Sequence, residues 1–502
     1  MKKLDLLLVT PPSKDQVFQE LSEDLSAIEP PVWSTLMATF FLKQGYSLQI
    51  LDAEAERMSI DETARQIIDI DALLTVFVIY GHQPSASTQN MPAGRKVCNR
   101  VRQEKPQLKT LAMGTHVSAL PEQTLIEEPY TFVCEGEGPY TVLGLLQALR
   151  AGDNQFEKIP GLWWKEDGKI YSNKLAENIN DLGREIPGQA WHMLDMSKYR
   201  AHNWHCLDHI NQRQPYASLQ TSLGCPYKCS FCCINTPFGG PGIRYWSPKL
   251  IADQIGQLVE KYAVKNIKIA DEMFVLSNQH IMEICDLIIE RGYDLNIWAY
   301  ARVDTVKDEY LEKLKKAGFN WLALGIESGS EYVRDGVEKG RFEDTAIINT
   351  TDKIKNHDIH IIANYIFGLP DDTKATMQET LALAMKINTE WANFYCAMAY
   401  PGSPLHTRAK QIGQPLPEVE GGPGWIGYSQ HAYESMPLPT DTLSGQEVLD
   451  FRDDAFNKYF SNPTYLDMVK NKFGQHLADH ILDMIKVKVP RKHHDKKNIS
   501  DP

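Results

Sequence analysis

Cys225-Pro226-Tyr227-Lys228-Cys229-Ser230-Phe231-Cys232 follows directly on the strand-like run Ala217-Ser218-Leu219-Gln220-Thr221-Ser222, and the rest of the chain is organised around this junction. Cysteines in a CxxxCxxC spacing suit one corner of a cubane iron–sulfur cluster, because thiolates are the soft anions such clusters need. A cluster held wholly by protein takes four cysteines. A triad leaves one iron open to a small molecule, so the stretch points to chemistry rather than to a structural staple. The competing reading is a zinc site or a set of buried thiols. Zinc knuckles come in pairs closed by a fourth ligand, and no second knuckle occurs in the sequence. Cys233, just past the triad, points elsewhere and is not expected as a ligand.

A chain of 502 residues exceeds one typical core, so two or three domains are expected. The formal net charge of −13 argues against nucleic acid as a partner, since neutralising phosphates needs a basic surface. Nine cysteines, an odd number with a cluster among them, fit a reducing compartment better than a disulfide framework. Met1-Lys2-Lys3 followed by Leu6-Leu7-Leu8-Val9 has the outline of a signal peptide. The apolar run is too short for one, Asp5 precedes it and Pro11-Pro12 ends it, so it reads as a first strand. No stretch reaches the length of a membrane span. The expectation is a soluble, cytoplasmic protein.

Residues 1–150 alternate short apolar runs with helical patterns, as an open parallel α/β sheet requires. The runs 4–9, 47–51, 73–80, 108–113 and 132–134 read as strands; 31–45 and 61–70 read as helices. Loops at the carboxyl ends of such strands form a ligand crevice, here 10–13, 81–85, 114–118 and 135–138. No GxGxxG follows the first strand, so a dinucleotide is disfavoured. The plain alternative is a sheet that merely supports the core carrying the cysteines. Residues 151–215 read as a connector with a small β excursion around Gly161-Leu162-Trp163-Trp164 and Asp167-Gly168. Its His202-Asn203-Trp204-His205-Cys206-Leu207-Asp208-His209 holds zinc-type side chains without zinc-type spacing, and reads as a packed or pocket-lining loop.

From 216 to 410 strand and helix repeat, the pattern of a full or partial (β/α) barrel, with strands at 219–222, 266–270, 296–300, 321–325, 359–367 and 393–399. Catalytic groups of barrels lie at the carboxyl ends of strands, which here carry Asp271-Glu272, Tyr300 and Arg302, Glu327-Ser328, Asn364-Tyr365 and Tyr400. An ion pair between Arg302 and Glu327 is the structural alternative to a ligand role. Residues 411–485 open with loops, then a Ser444–Glu447 capping box begins a helical cap. Residues 486–502 are basic and polar and read as a disordered tail.

The cysteine triad, with Gly224 before it and an aromatic between its last two cysteines, closely resembles the radical S-adenosylmethionine (SAM) enzymes. IADEMF (269–274), YARVD (300–304), GIESGS (325–330), KG (339–340), IFGLPDDT (366–373) and YPGSPL (400–405) occur in that family's order. Ahead of them, Pro11-Pro12, GTHVS (114–118) and GEGPYTV (136–142) resemble the cobalamin-binding domain that precedes many such cores. The resemblance implies an α/β chain with a Rossmann-like cobalamin domain, a partial TIM-barrel radical SAM core and a helical carboxyl-terminal cap. It implies a [4Fe–4S] cluster on Cys225, Cys229 and Cys232. It implies SAM held by Asp271, Glu272, Arg302, Glu327 and Ser328, with Glu272, Arg302 and Tyr300 as catalytic candidates. The crevice loops offer His82, Ser85, Gly114, Ser118, Glu135 and Gly136 as cobalamin contacts. The DxHxxG loop whose histidine ligates cobalt is absent after the first strand; many members of this subgroup lack it, and His82 is kept as a candidate lower-face contact.

The activity implied is methylation of an unactivated carbon of a small molecule. A 5′-deoxyadenosyl radical takes a hydrogen atom, methylcobalamin delivers the methyl group, and a second SAM restores it. An external donor of flavodoxin or ferredoxin type would supply the electron. Two other readings remain: a rearrangement, cyclisation or oxidation on the same scaffold, or a corrinoid or cluster-binding carrier or sensor. A methylthiotransferase is disfavoured, since Cys98 and Cys134 alone do not make a second cluster site.

Overall fold

Leu6, Leu7, Leu8 and Val9 are all fully buried, as a central strand of a sheet covered on both faces must be. The computed structural model describes residues 3–22, 25–81, 83, 85–153, 155–340 and 342–497. Among them, the amino-terminal sheet comprises β1 (Leu6–Thr10), β2 (Leu48–Asp52), β3 (Leu74–Val78), β4 (Thr110–Met113), β5 (Phe132–Cys134), β6 (Leu162–Glu166) and β7 (Lys169–Ser172). Its order is β2-β1-β3-β4-β5-β6-β7, parallel through β5 and antiparallel beyond. The connector's excursion thus extends the first sheet. Strand order reverses at β1 and β3, the position where open α/β sheets bind ligands.

The second unit holds β8 (Tyr216–Leu219), a short antiparallel pair β9 (Ser222–Leu223) and β10 (Arg244–Tyr245), then β11 (Asn266–Ile269), β12 (Asn296–Arg302), β13 (Phe319–Glu327), β14 (His360–Phe367) and β15 (Trp391–Cys396). Its main sheet runs β8-β11-β12-β13-β14-β15, all parallel, with helices between successive strands: an incomplete barrel. One continuous apolar core joins both sheets and the carboxyl-terminal helices. Among the described residues no helix is long and apolar enough to cross a membrane.

The structure departs from the sequence expectations in three places. First, a long helix, Ala86–Glu104, with Pro92 in its interior, occupies a stretch to which the sequence reading assigns no element. Second, β8 stops at Leu219, because the backbone N–H of Thr221 turns away to donate to Asp271. Third, residues 486–497, expected as a disordered tail, pack against the cap and end in the short helix Lys492–Lys497. Arg491 is 1% exposed; it donates to both carboxylate oxygens of Asp453 (2.9 and 3.0 Å) and to the carbonyls of Gln430 and Ala432. The Ser444–Glu447 capping box forms as expected.

Gly114, at the end of β4, shows how tightly the first crevice is built. Its φ is +150°, and a Cβ there would lie 2.0 Å from the carbonyl oxygen of Ile79. Gly114→Ala is therefore expected to destabilise the chain by at least about 1–3 kcal/mol, the usual cost of overpacking, read as a lower urea midpoint; an unchanged midpoint would show that the strand ends can part freely.

Candidate active site

The cysteine loop, residues 224–243, is pinched at its base by the β9–β10 pair. Gly224 sits at φ +90°, where a Cβ would meet the Gly242 carbonyl oxygen at 2.5 Å, so glycine is required for the two ends to close. Gly242 N–H donates to the Cys225 carbonyl (3.1 Å). Asn235 ties the loop internally, accepting from Cys225 N–H (3.1 Å) and donating to the Tyr227 carbonyl (3.3 Å). The loop is anchored outward by Ser230 N–H to the Val337 carbonyl (3.0 Å) and by Leu405 N–H to the Ser230 carbonyl (2.8 Å).

Burial pushes the Cys225 and Cys232 thiols up, and neighbouring cysteines add to the effect in both. Thiols that repel one another's ionised form are a fitting donor set for a soft metal centre, whose positive charge would lift that penalty. Cys233 is buried and pushed up to about 12 by desolvation.

A cavity of about 1090 Å³ opens beside this loop and extends between the two units. It touches the carboxyl ends of strands from both sheets: Thr10, Asp52 and Tyr80 on one side, Glu272, Tyr300, Glu327 and Asn364 on the other, with Cys232 at its wall. Buried polar atoms that face no hydrogen-bond partner among the described residues include Tyr80 Oη, Gln220 Oε1 and Glu272 Oε2, all on lining residues. Such orphans are rare unless a ligand meets them.

The site residues expected from the sequence separate into groups. Glu272 lines the cavity, and burial pushes its carboxyl up to about 8. Asp271, its neighbour, does not reach the cavity: it is fully buried and accepts from Thr221 N–H, Thr221 Oγ1 and Ser222 Oγ, each at 2.6 Å. Tyr300 lines the cavity and stands edge-on to Trp298. Arg302 turns toward the cysteine loop. Its guanidinium is bidentate to Asp304 (2.9 and 3.0 Å), lies 3.7 Å from Cys229 Sγ and covers the Tyr227 ring at 3.9 Å.

An Arg302–Glu327 ion pair, the structural alternative for these residues, does not form. Glu327 pairs instead with Lys339 (2.6 Å), both nearly buried. Gly325 makes room for this pair, since a Cβ there would lie 2.5 Å from Glu327 Oε1 and 2.6 Å from Lys339 Nζ. Glu327 itself holds φ +66°, a costly conformation that such surroundings enforce. Ser328 is turned away, bonded to Thr380 Oγ1 (3.2 Å) and to Ser330 N–H (3.1 Å).

On the first sheet, Ser85 lines the cavity, while Gly114, Ser118, Glu135 and Gly136 do not. Ser118 and Gly136 bond each other twice, and Glu135 accepts from Trp163 Nε1 (2.7 Å), so those groups are partnered within the first unit. His82 lies outside the described residues. In the His202 loop, His205 bonds the Asn296 carbonyl (3.0 Å) and Cys206 donates to Asn266 Oδ1 (3.4 Å), while His202 stacks on Trp204 at the cavity wall. The loop is packed, as expected, and among the described residues it holds no chelating set.

Lys339, Tyr80 and Asp52 were not singled out from the sequence as ligand candidates. The last two stand at or just past the carboxyl ends of β3 and β2, where the crevice rule points. Tyr80 stacks on Trp33 (centroids 4.7 Å apart).

Comparison with known families accounts for both halves. Residues 23–146 match the B12 binding domain and residues 219–384 the radical SAM superfamily. The chain belongs to the B12-binding radical SAM enzymes. Its cofactors are accordingly a [4Fe–4S] cluster, SAM and cobalamin, and the carrier or sensor reading gives way to an enzyme. This radical SAM enzyme is 27% identical over 412 residues to the uncharacterized methyltransferase PH0819 of Pyrococcus horikoshii, covering 81% of this chain and 83% of that one. It is 25% identical over 446 residues to the anaerobic magnesium-protoporphyrin IX monomethyl ester cyclase of Rubrivivax gelatinosus, covering 87% and 75%. Its fold resembles that of the radical SAM methyltransferase TsrM from Kitasatospora setae, solved with tryptophan substrate and a SAM analogue: TM-score 0.68, 16% identity, 97% and 99% covered.

Asp52 offers a test of the cavity's dryness. It accepts from Tyr199 Oη (3.0 Å), yet burial pushes its carboxyl up to about 7 from 3.8. Between those values the folded chain keeps a proton that the unfolded chain has released, so this residue's contribution to stability falls as pH rises from about 4 to about 7. Asp52→Asn should shrink the difference between urea midpoints at pH 5 and pH 8; an undiminished difference would mean that Asp52 ionises normally.

Proposed function

We propose that this enzyme is a cobalamin-dependent methyltransferase that acts on an unactivated carbon of a small molecule inside the inter-sheet cavity. The observation that carries this reading is that one cavity touches both the cysteine loop, at Cys232, and the carboxyl ends of β1, β2 and β3. A radical formed at one wall and a methyl donor at the other would then share one space, which proximity requires. Similarity to a named, though uncharacterized, methyltransferase supports it.

When bound, the cluster and SAM supply a radical that removes hydrogen, and cobalamin supplies the methyl group. The chain's residues do the holding. Cys225, Cys229 and Cys232 would carry the cluster. Glu272, with an unpartnered oxygen at the wall, would take the amino group of SAM, giving up the proton that burial now retains. The Glu327–Lys339 pair presents a cation and an anion at the same wall and would orient the polar parts of a bound molecule. Arg302, engaged by Asp304 and Cys229, would act on the cysteine loop rather than on the SAM carboxylate. Tyr300 and the aromatic wall exclude water from the reacting carbon. Cobalamin would be held without a histidine, beside Tyr80 and Ser85. A flavodoxin- or ferredoxin-type protein would donate the electron. The similarity to a cyclase supports a second reading, an oxidation or ring closure on the same scaffold without methyl transfer.

Anaerobic turnover with methyl-labelled SAM separates the two. Methyl transfer requires near-equal amounts of 5′-deoxyadenosine and S-adenosylhomocysteine, with label in the product; deoxyadenosine with product but without S-adenosylhomocysteine selects the second reading. Cys225→Ala, Cys229→Ala and Cys232→Ala should each lose the brown chromophore after anaerobic reconstitution, whereas Cys233→Ala keeps it. Equal loss in Cys233→Ala would overturn the ligand assignment.

A further inference from the structure

The helix Gly445–Phe460 presents Asp450 and Asp453 three residues apart and therefore on one face. Both receive side chains from the carboxyl-terminal segment. Asp453 takes the buried Arg491 in a bidentate ion pair. Asp450 Oδ1 takes two rings, with His493 Nε2 at 2.7 Å and His494 Nε2 at 2.8 Å. The segment that delivers them also walls the main cavity, through Met484, Ile485, Val487, Lys488, Val489 and His494.

We propose that Asp450, His493 and His494 form a zinc site that fastens this segment over the cavity. Among the described residues this is the group of histidine, cysteine and acidic side chains whose ligand atoms all lie within 4.8 Å of one another. Two imidazoles and a carboxylate are a borderline donor set suited to Zn²⁺. Tetrahedral zinc with bonds of about 2.0–2.1 Å separates its ligand atoms by roughly 3.3 Å, so small side-chain rotations convert the hydrogen-bonded cluster into a coordination shell. The group contains no cysteine, so it is chemically distinct from the iron–sulfur loop.

The ligands are also held in place before any ion arrives. Arg491 is locked by Asp453 and by the Gln430 and Ala432 carbonyls, and Lys492 N–H donates to the Tyr433 carbonyl (2.9 Å). This fixes the backbone immediately ahead of His493. The His493 side chain is 8% exposed and that of His494 51%, which gives the site one sheltered ligand and one open side for entry. Three protein ligands leave a tetrahedral position for water.

The test uses the full-length enzyme with its cluster reconstituted, equilibrated anaerobically with zinc against a chromophoric chelator. One zinc per chain is expected in addition to the cluster iron, with an X-ray absorption spectrum showing only nitrogen and oxygen neighbours. His494→Ala, at a half-exposed position that leaves the fold intact, should weaken zinc binding by about tenfold or more without changing the iron content; Asp450→Asn should do the same. In wild type, zinc should slow tryptic cleavage at Lys486 and Lys488, and in His494→Ala it should not. Sulfur in the zinc shell, zinc affinity undiminished in the His493→Ala/His494→Ala double variant, or no zinc retained by wild type would each overturn the proposal, as would tryptic cleavage that zinc leaves unchanged.

Discussion

The carboxylate of Asp271 is the point on which the site depends. It is fully buried, and burial pushes its pKa up to about 6 while the Ser222 and Thr221 donors pull it back. A buried carboxylate is tolerable only when its oxygens are met by donors. Meeting them obliges Thr221 to leave the β8 ladder, and that departure turns the chain out of the sheet and into the cysteine loop. β11 leads to the acid and β8 leads to the donors, so the loop's origin is referenced to the barrel itself rather than to a flexible connection.

The rest of the site depends on how parallel sheets end. Both sheets direct the carboxyl ends of their strands into one cavity, and strand after strand delivers a side chain there. Where two polar groups must share that wall, the backbone gives way. Gly325 carries no side chain so that Glu327 and Lys339 can meet, and Glu327 accepts a left-handed conformation to do so. Arg302 is withdrawn to the cysteine loop, where its charge lies beside Cys229. The residue that ends β12 is thereby tied to the loop after β9.

The carboxyl-terminal segment completes the enclosure. The helix Gly445–Phe460 lies on the barrel, with Arg452 donating to the Phe394 carbonyl (2.7 Å), and it carries Asp450 and Asp453 to meet the returning chain. A basic stretch that would be solvated alone becomes a wall because half-buried acids await it.

Signals confined to a few neighbouring residues were legible from the amino acids alone. The CxxxCxxC spacing, the apolar strand runs, the Ser444–Glu447 capping box and the order of motifs along the core all depend on local chemistry, and together they identified both halves of the enzyme. What local chemistry could not decide was which polar group would find which partner. Nothing in Asp271-Glu272 says that the first acid meets donors 49 and 50 residues away while the second faces the cavity. Nor does YARVD say that Arg302 would choose Asp304 and Cys229, or that Glu327 would choose Lys339. Ser118 and Gly136 look like crevice groups in sequence, but they satisfy one another. The basic end reads as a tail because its surroundings are missing from the local sequence. A buried polar group is placed by the hydrogen bonds it can complete, and those partners are brought together only when the sheets have formed and packed.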